Sequence, residues 1–549
     1  MKLAAITRVF PSWRNLLFAA VAAVLLILAF PDFEYWFLAW FALVPLMWAI
    51  EREKASTWRS FVLGWLFGTI FFFGTCWWLT FAPITYAAFP PWLAYSGMVF
   101  VALAVGVFPA IFAAILSVLL RRFGAWAFLA APFVWVFTEF LRYWVTGNNW
   151  NAIGYSQAFV KLFNAFPAVA GIYGMGFAIT ALNSILLTSL IYRKSVFNVL
   201  LGQILAPFSL FIVTVIGFSV ASFSYWEPMT QIDIHRSDQS QMIALQPNIP
   251  MTGLDQRKLN GLRDRQMELA ELELRKLDER VNFMVRNNQK AGLEPPNSSR
   301  PPTTVILPES PMNFMYNDDR EFQQFIGDFA RRNNVSVLFN AAEPDATNGK
   351  YFNSAVMVGP DGKEAAQYDK IILLPFGEAV PPFLEGIVPG FVGNFSYGRE
   401  YDILPVGDAK AGVMICFESH FGQLSRRYVQ DGADVIIEMT NDGYLGPTPV
   451  LRQHLANAVF RAVETNRPVL RVTNVGISAY INEKGEVLDA TKPYQEDTRV
   501  WSVSKSDGSQ TFYVKYGDWF AWLCSLVTLG LLVVGFRGQQ DGKRNSESS

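Results

Sequence analysis

The sequence contains few cysteines, few histidines and almost no net charge. Its 549 residues include three cysteines and three histidines, and 45 basic residues nearly balance 46 acidic ones. A net charge near zero provides no bulk attraction to nucleic acid, so we expect no nucleic-acid partner. No metal-binding or nucleotide-binding motif stands out either, and we expect neither a metal nor a cofactor.

The positions of the three cysteines separate them into two classes. Cys76 and Cys524 fall inside apolar runs, where cysteine commonly acts as a small buried apolar residue. Cys416 is therefore alone in the more polar part of the chain, which excludes a disulfide within that part. A lone thiol on the oxidising side of a membrane is a liability unless it is buried or used. At this point Cys416 is compatible with either a buried structural role or a reactive one.

Apolar residues, by contrast, are abundant and come in long runs before about residue 225. A membrane-spanning helix needs about 20 mainly apolar residues. Seven runs in this part and one near the C-terminus predict about eight transmembrane helices. The runs are 13–31, 35–50, 59–82, 92–120, 124–145, 164–192, 196–222 and 519–536.

Lysine and arginine are concentrated in alternate connections between these runs. By the positive-inside rule this distribution places both termini in the cytoplasm and the polar part of the chain on the outer side. We therefore predict a membrane domain over 1–225, an outward-facing domain over 226–514, and a last spanning helix with a short tail over 515–549. The basic residues used are Lys2, Arg8, Arg14, Arg52, Lys54, Arg59, Arg121, Arg122, Arg193, Lys194, Arg537, Lys543 and Arg544.

The outward-facing part alternates short β-branched runs with helical patterns, which indicates an α/β layered domain. The runs are almost continuously apolar, so we expect strands buried on both faces. A turn signal at Pro360-Asp361-Gly362 predicts a hairpin. Strands are predicted at 242–246, 303–307, 335–339, 354–358, 371–374, 412–415, 435–439, 469–473 and 479–482, and helices at 256–290, 319–332, 420–431 and 450–466.

Three residues able to carry chemistry stand at the ends of strand-like segments. Glu309 ends T-T-V-I-L-P-E-S, Lys370 opens K-I-I-L-L and Cys416 ends G-V-M-I-C. Active sites of α/β proteins form where strand ends meet at one sheet edge. A buried glutamate has a raised pKa and can act as general base and then acid. A lysine ammonium can hold a thiolate and stabilise an oxyanion.

A cysteine–histidine pair is the alternative route to an activated thiol. The candidate partners are His235, His420 and His454, and nothing in the residues around them supports the pairing. Taken singly, Glu309, Lys370 and Cys416 are also compatible with ordinary strand-end positions. Their order and flanking residues favour a catalytic set.

These flanking residues carry a resemblance. The segments L-P-E-S-P (307–311), Y-D-K-I-I-L-L-P-F-G-E (368–378) and V-M-I-C-F-E (413–418) resemble the Glu-Lys-Cys motifs of the nitrilase superfamily. Over nearly its full length the chain is similar to the apolipoprotein N-acyltransferase family. Further matching segments are T-E-F-L-R (138–142), W-N-A-I-G-Y-S-Q (150–157), T-N-D-G-Y-L-G (440–446) and R-A-V-E-T-N-R-P-V-L-R-V-T-N-V-G-I-S-A (461–479).

The resemblance implies a nitrilase-like αββα sandwich inserted before the last transmembrane helix. It implies that Glu309 is the general base, Lys370 the oxyanion-stabilising cation and Cys416 the acyl-accepting nucleophile. The backbone N–H of Phe417 would complete an oxyanion hole, and Glu378 and Glu418 would orient the catalytic side chains. Two apolar segments, 381–392 and 393–397, are predicted either to form a mobile lid over the acyl chain or to pack against the domain's own core. Their candidate substrate-binding residues are Phe383, Leu384, Ile387, Phe391, Phe395 and Tyr397.

The activity implied by the resemblance is a two-step acyl transfer in the bacterial inner membrane, with the catalytic domain on the periplasmic side. A phospholipid would donate the acyl chain to Cys416, and the α-amine of an apolipoprotein's diacylglyceryl-cysteine would accept it. Two alternatives remain. One is a membrane-tethered carbon–nitrogen hydrolase that uses the same three residues, and the other is a non-catalytic membrane scaffold or transporter.

Overall fold

The computed structural model describes residues 9–163, 165–191, 239–290, 300–312, 314–375, 377–380 and 395–547, with side chains described up to Gly535. The chain divides into two compact units. The first comprises Met1–Pro228, Thr448–Ala456 and Tyr516–Ser549, and the second comprises Met229–Pro447 and Asn457–Lys515. Each unit has a fold of its own and is described separately.

The described part of the first unit is helical. Ser12 caps its first helix by accepting a hydrogen bond from the backbone N–H of Asn15, as short polar residues do at helix starts. The predicted run 35–50 forms short helical pieces, and 92–120 is two helices separated at Gly106. The longer helices are α1 (Trp13–Leu28), α2 (Val44–Glu53), α3 (Thr57–Cys76), α4 (Pro91–Val105), α5 (Val107–Phe123), α6 (Ala127–Thr146) and α7 (Ala165–Ile191).

Three helical stretches in the described residues are long and apolar enough to cross a membrane: Thr57–Thr85, Pro91–Thr146 and Phe166–Ile191. Two shorter apolar helices, Trp13–Leu28 and Trp519–Gly535, correspond to the first and last predicted runs. The run 196–222 lies outside the described residues. The total of about eight spans therefore stays a prediction.

A buried glutamine holds several parts of the first unit together. The Gln453 side-chain oxygen accepts hydrogen bonds from the indole N–H of Trp78 at 3.1 Å and of Trp150 at 3.0 Å, and from the Asn151 amide at 3.3 Å. Its amide nitrogen donates to the carbonyl of Thr75 at 2.9 Å. Because a buried polar group without a partner is costly, this network fixes the approach of these segments.

The second unit contains two mixed β-sheets. The first has the order β13-β1-β2-β3-β4-β5, with β6 beside β4, and the second has the order β12-β11-β10-β9-β8-β7. Strands β1–β3 run parallel, as do β8–β10. The strands are β1 (Ser240–Gln246), β2 (Thr303–Ile306), β3 (Ser336–Pro344), β4 (Tyr351–Val358), β5 (Glu364–Asp369), β6 (Phe395–Ser396), β7 (Ile403–Val406), β8 (Ala409–Ile415), β9 (Val435–Thr440), β10 (Val469–Thr473), β11 (Ala479–Ile481), β12 (Val487–Leu488) and β13 (Asp497–Val503).

Helices cover the outer face of each sheet. Helices α8 (Gln256–Lys290) and α9 (Arg320–Asn333) pack on the first sheet, and α10 (Gly422–Gln430) packs on β8. Two further long helices are α11 (Val450–Thr465), which begins in the first unit, and α12 (Trp519–Glu547). The sheets meet through β1 and β10. All seven residues of β1 are buried, which confirms the expectation of strands covered on both faces. The predicted αββα fold is confirmed for this part of the chain.

One predicted strand is wrong. Residues 371–374 form no strand, and the strand of this region is β5, which ends at Asp369. Lys370 therefore follows a strand instead of opening one. The physical reason is that the backbone N–H groups of Ile371 and Ile372 donate to the Glu418 carboxylate, at 2.8 and 3.0 Å, instead of to a neighbouring strand.

Candidate active site

Strand direction places the candidate residues of the second unit at the corresponding ends of strands from both sheets. Glu309 follows β2 and Cys416 follows β8, so both stand at carboxyl ends of parallel strands. Strand β4 runs antiparallel to β3, and β5 antiparallel to β4. The start of β4, with Asn353, and the end of β5, before Lys370, consequently reach the same edge. Tertiary topology thus gathers side chains that are separated by up to a hundred residues.

A buried lysine lies between two carboxylates. The Lys370 ammonium, 1% exposed, donates to Oε1 of Glu378 at 2.7 Å and lies 3.9 Å from Oε1 of Glu309. Burial alone would lower the pKa of Lys370, but the charges of Glu378 and Glu309 outweigh it and hold the pKa above its ordinary value. The lysine is therefore a permanent cation at neutral pH.

Cys416 stands at an abrupt turn between β8 and a short 3₁₀ helix, Cys416–His420. Its φ of 52° lies in the left-handed region, which non-glycine residues seldom adopt and which costs about 1–2 kcal/mol. Such strain is concentrated at functional sites. The side chain keeps a partly exposed surface. The turn therefore presents the thiol at the strand end, where a substrate can reach it.

The resting thiol holds its proton. Burial raises the pKa of Cys416 well above its ordinary value, and the charge of Glu309 raises it further, while Lys370 and the Thr440 hydroxyl lower it. Burial also raises the pKa of Glu309, against the opposing effect of Lys370. A carboxylate with a raised pKa beside a protonated thiol is the arrangement that a general base requires.

Glu309 is held in position by hydrogen-bond donors from two strands. Its Oε1 accepts from the Asn353 amide at 3.2 Å, and its Oε2 accepts from the backbone N–H of Asn441 at 3.0 Å. Asn441 follows β9 in the matched segment T-N-D-G-Y-L-G. Sequence reasoning did not single out Asn353, Thr440 or Asn441 as contributors to the site.

Glu418 joins the lysine segment to the cysteine turn. Its Oε1 accepts from the Tyr368 hydroxyl at 2.7 Å and from Ile371 and Ile372, and its Oε2 accepts from the backbone N–H of Ile415 at 2.9 Å. Burial raises the pKa of Glu418 to about 7, although Lys370 and the backbone donors act against it. The fully buried carboxyl thereby ties the segment after Lys370 to the residue before Cys416.

The remaining residues considered from the sequence are Phe417 and the candidate histidine partners of Cys416. Phe417, which follows Cys416, is buried and stacks on His420 with ring centroids 5.8 Å apart. His454 belongs to the first unit and faces Trp150 at 5.9 Å, and His235 lies outside the described residues. The charges that act on the Cys416 thiol come from Glu309, Lys370 and Glu378, which favours the acid–lysine set over a cysteine–histidine pair.

The lid prediction is largely beyond the described residues. Phe383, Leu384, Ile387 and Phe391 lie there, so their role stays a prediction. Phe395 pairs with Tyr351 at the start of β4, and the Tyr397 side chain is about half exposed. The backbone N–H of Phe395 donates to the carbonyl of Glu378 at 3.4 Å, so the described end of this segment adjoins the site.

Sequence comparison matches both parts of the chain to known families. The sequence model of the apolipoprotein N-acyltransferase N-terminal domain matches residues 22–185, and that of carbon–nitrogen hydrolases matches residues 302–511. Apolipoprotein N-acyltransferases of Geobacter metallireducens and Thermotoga maritima are each 28% identical to the chain. The alignments cover 95% and 97% of the chain, and 96% of each relative. Nearly the whole chain is thus similar to apolipoprotein N-acyltransferases.

Solved structures similar to the chain correspond to about half of it. A Nesterenkonia AN1 amidase of the nitrilase superfamily covers 52% of the chain and 95% of its own length, at 14% identity and a TM-score of 0.35. Saccharomyces cerevisiae Nit3, another member of that superfamily, covers 49% of the chain at 15% identity and a TM-score of 0.33. The similarity to apolipoprotein N-acyltransferases rests on the two sequence models and on the full-length relatives.

Proposed function

We propose that the protein is an acyltransferase that moves an acyl chain from a membrane phospholipid to the N-terminal α-amine of diacylglyceryl apolipoproteins. The single observation that carries the proposal is the grouping of Glu309 and Lys370, from the first sheet, with the strained Cys416, from the second. The family match and the membrane-length apolar helices support a lipid substrate.

In the first step, Glu309 accepts the thiol proton and the Cys416 sulfur attacks an ester carbonyl of the phospholipid. The negative charge that develops on the carbonyl oxygen is stabilised by the Lys370 ammonium and by the backbone N–H of Phe417. The carbon–oxygen bond then breaks, and protonated Glu309 returns the proton to the departing lysophospholipid. A thioester on Cys416 remains.

In the second step, the free α-amine of the apolipoprotein attacks the thioester carbonyl. Glu309 accepts a proton from the amine, and the same two donors stabilise the second oxyanion. The carbon–sulfur bond breaks, and the thiolate recovers its proton from Glu309. An amide and the resting enzyme are the products. The first substrate leaves the enzyme acylated and the second restores it, so the kinetic order is ping-pong.

The proposed location follows from the substrates. Both are anchored in a bilayer, so a catalytic domain fused to membrane helices meets them at the surface. The basic residues between the apolar runs favour the periplasmic side of a bacterial inner membrane. A multi-pass membrane protein is consistent with the three apolar stretches that are long enough to span.

The first test is the intact mass of the detergent-solubilised protein after incubation with phospholipid. We expect the wild type to gain one acyl chain and Cys416→Ala to gain none. Adding a diacylglyceryl-cysteine peptide should remove the acyl chain from the enzyme and transfer it to the peptide. A folded wild type that gains no mass would contradict the thioester step.

The second candidate function is an amide hydrolase with the same three residues, which the carbon–nitrogen hydrolase match favours. The two functions differ in the group that accepts the acyl chain. An acyl-enzyme that water discharges as quickly with the peptide as without it would favour the hydrolase. Discharge that requires the peptide amine favours the acyltransferase.

A further inference from the structure

One asparagine contacts both carboxylates of the site. The amide nitrogen of Asn353 donates to Oε1 of Glu309 at 3.2 Å and to Oε1 of Glu378 at 2.7 Å. Asn353 is itself buried and lies near the start of β4. An amide nitrogen has two hydrogens, and here each of them has a carboxylate acceptor.

A second asparagine fixes the orientation of this amide. Asn340 on β3 donates to Oδ1 of Asn353 at 2.7 Å and to the carbonyl of Ser354 at 3.0 Å. The Oδ1 of Asn340 accepts from the backbone N–H of Ser310, one residue after Glu309, at 3.3 Å. The oxygen of Asn353 is thereby directed toward β3, so its nitrogen must face the carboxylates.

The two carboxylates need such a donor because they share one cation. Lys370 donates to Glu378 at 2.7 Å but lies 3.9 Å from Glu309. Glu309 therefore depends on other donors to hold its carboxylate, and these are Asn353 and the backbone N–H of Asn441. Without the Asn353 hydrogen bond, Oε1 of Glu309 would lose its amide donor, and the carboxylate would be held less firmly in its position facing the thiol.

We propose that Asn353, oriented by Asn340, is the positioning residue that holds Glu309 in its ionised form facing Cys416. Asn353 acts through Glu309 and touches neither the thiol nor a substrate. A hydrogen bond donated to a carboxylate stabilises the charged form and lowers its pKa. The charged groups that face Glu309 are Lys370 and Glu378 from the segment after β5, together with the Cys416 thiol after β8.

The test replaces the side-chain amide of Asn353 with groups that donate fewer hydrogen bonds. Asn353→Leu has a similar branched shape but no donor, and Asn353→Ser keeps one short donor. Asn482→Leu is the matched control, because Asn482 is equally buried and its amide makes hydrogen bonds within the turn between β11 and β12. Thermal melting in detergent checks that each variant is folded.

The first readout is the pH dependence of Cys416 alkylation by iodoacetamide, which needs no lipid substrate. The acidic midpoint should move to higher pH by roughly one unit in Asn353→Leu, since bonds to charged groups have about this strength. Asn353→Ser should give an intermediate midpoint, and the control should keep that of the wild type. A purely structural role would not move the midpoint of a folded variant.

The second readout is acyl transfer, and it alone rests on the proposed function. In Asn353→Leu, kcat should fall by roughly 10-fold or more with KM unchanged, because the residue does not contact the substrate. If folded Asn353→Leu keeps the wild-type alkylation midpoint and the wild-type kcat, the inference is overturned. If Asn353→Leu does not fold, the same comparison is made with Asn353→Ser. A shifted alkylation midpoint in an enzyme that never becomes acylated would refute the proposed function and leave the inference standing.

Discussion

Lys370 offers the sharpest test of the electrostatic design of the site. Lys370→Met keeps most of the side-chain length and removes the charge that lies 2.7 Å from Glu378 and 3.9 Å from Glu309. With an effective dielectric constant of 20, the two attractions amount to about 6 and about 4 kcal/mol. The cost of desolvating the buried ions offsets much of this gain, and breaking a buried pair typically destabilises a protein by about 3–5 kcal/mol.

We therefore expect Lys370→Met to lower the melting temperature by roughly 6–20 °C, using about 2–4 °C for each kcal/mol in a domain of this size. The double variant Lys370→Met/Glu378→Gln should melt higher than the single one, because it removes one of the two stranded carboxylates. Both variants should lack acyl-enzyme formation. The measurement is thermal unfolding in detergent, followed by tryptophan fluorescence.

The loss of thermal stability in Lys370→Met should also depend on pH. The pKa of Glu309 is already raised by burial, and removing the ammonium raises it further. A carboxyl with a raised pKa contributes full stability below its unfolded-state pKa, and this contribution is lost as the pH rises through its folded-state pKa. The deficit of Lys370→Met should thus be larger at pH 8 than at pH 5. A deficit that is independent of pH, together with a double variant no more stable than the single one, would refute the reasoning.

Two further predictions concern the base and the first unit. Glu309→Gln removes the base, so the acidic midpoint of Cys416 alkylation should disappear; it also removes a charge that raises the thiol pKa, so the titration of the thiol itself should move to lower pH. Acyl-enzyme formation should be lost, and formation at the wild-type rate would contradict the base assignment. Gln453→Leu leaves the indole N–H of Trp150 without its acceptor and should destabilise the folded protein by about 2–4 kcal/mol. Its melting temperature should fall well below that of Gln256→Leu, a control at an exposed position, and equal values would contradict the role of the network.

Much of the fold could be predicted because its signals are local. The β-branched runs at β9 and β10 are buried on both faces, and their bounds agree closely with expectation. The short strands β6 and β12 were missed, since two residues carry no recognisable pattern. The apolar residues 371–374 were predicted to form a strand. Instead, the backbone N–H groups of Ile371 and Ile372 donate hydrogen bonds to the carboxylate of Glu418, which is more than 40 residues later in the sequence.

The candidate site also combines residues that local sequence patterns reveal with residues whose role depends on the folded structure. Glu309, Lys370 and Cys416 stand out because each places a reactive group after or within an apolar run. Asn353 is an uncharged residue inside a strand, and its importance depends on which residues β4 faces after folding. The contacts of Glu139 and Arg142 in the first unit likewise depend on folding: Glu139 accepts from the backbone N–H of Ile153 and Arg142 donates to the carbonyl of Trp150, so both hold the loop that follows.

The hydrogen bond between the backbone of Phe395 and that of Glu378 has a consequence for how the sequence between them can vary. Glu378 and Phe395 are 17 residues apart in the sequence, and their backbones are in direct contact. Doubling the length of such a connection costs only about 0.6 kcal/mol in closure entropy. Residues can therefore be inserted or exchanged there without displacing Lys370.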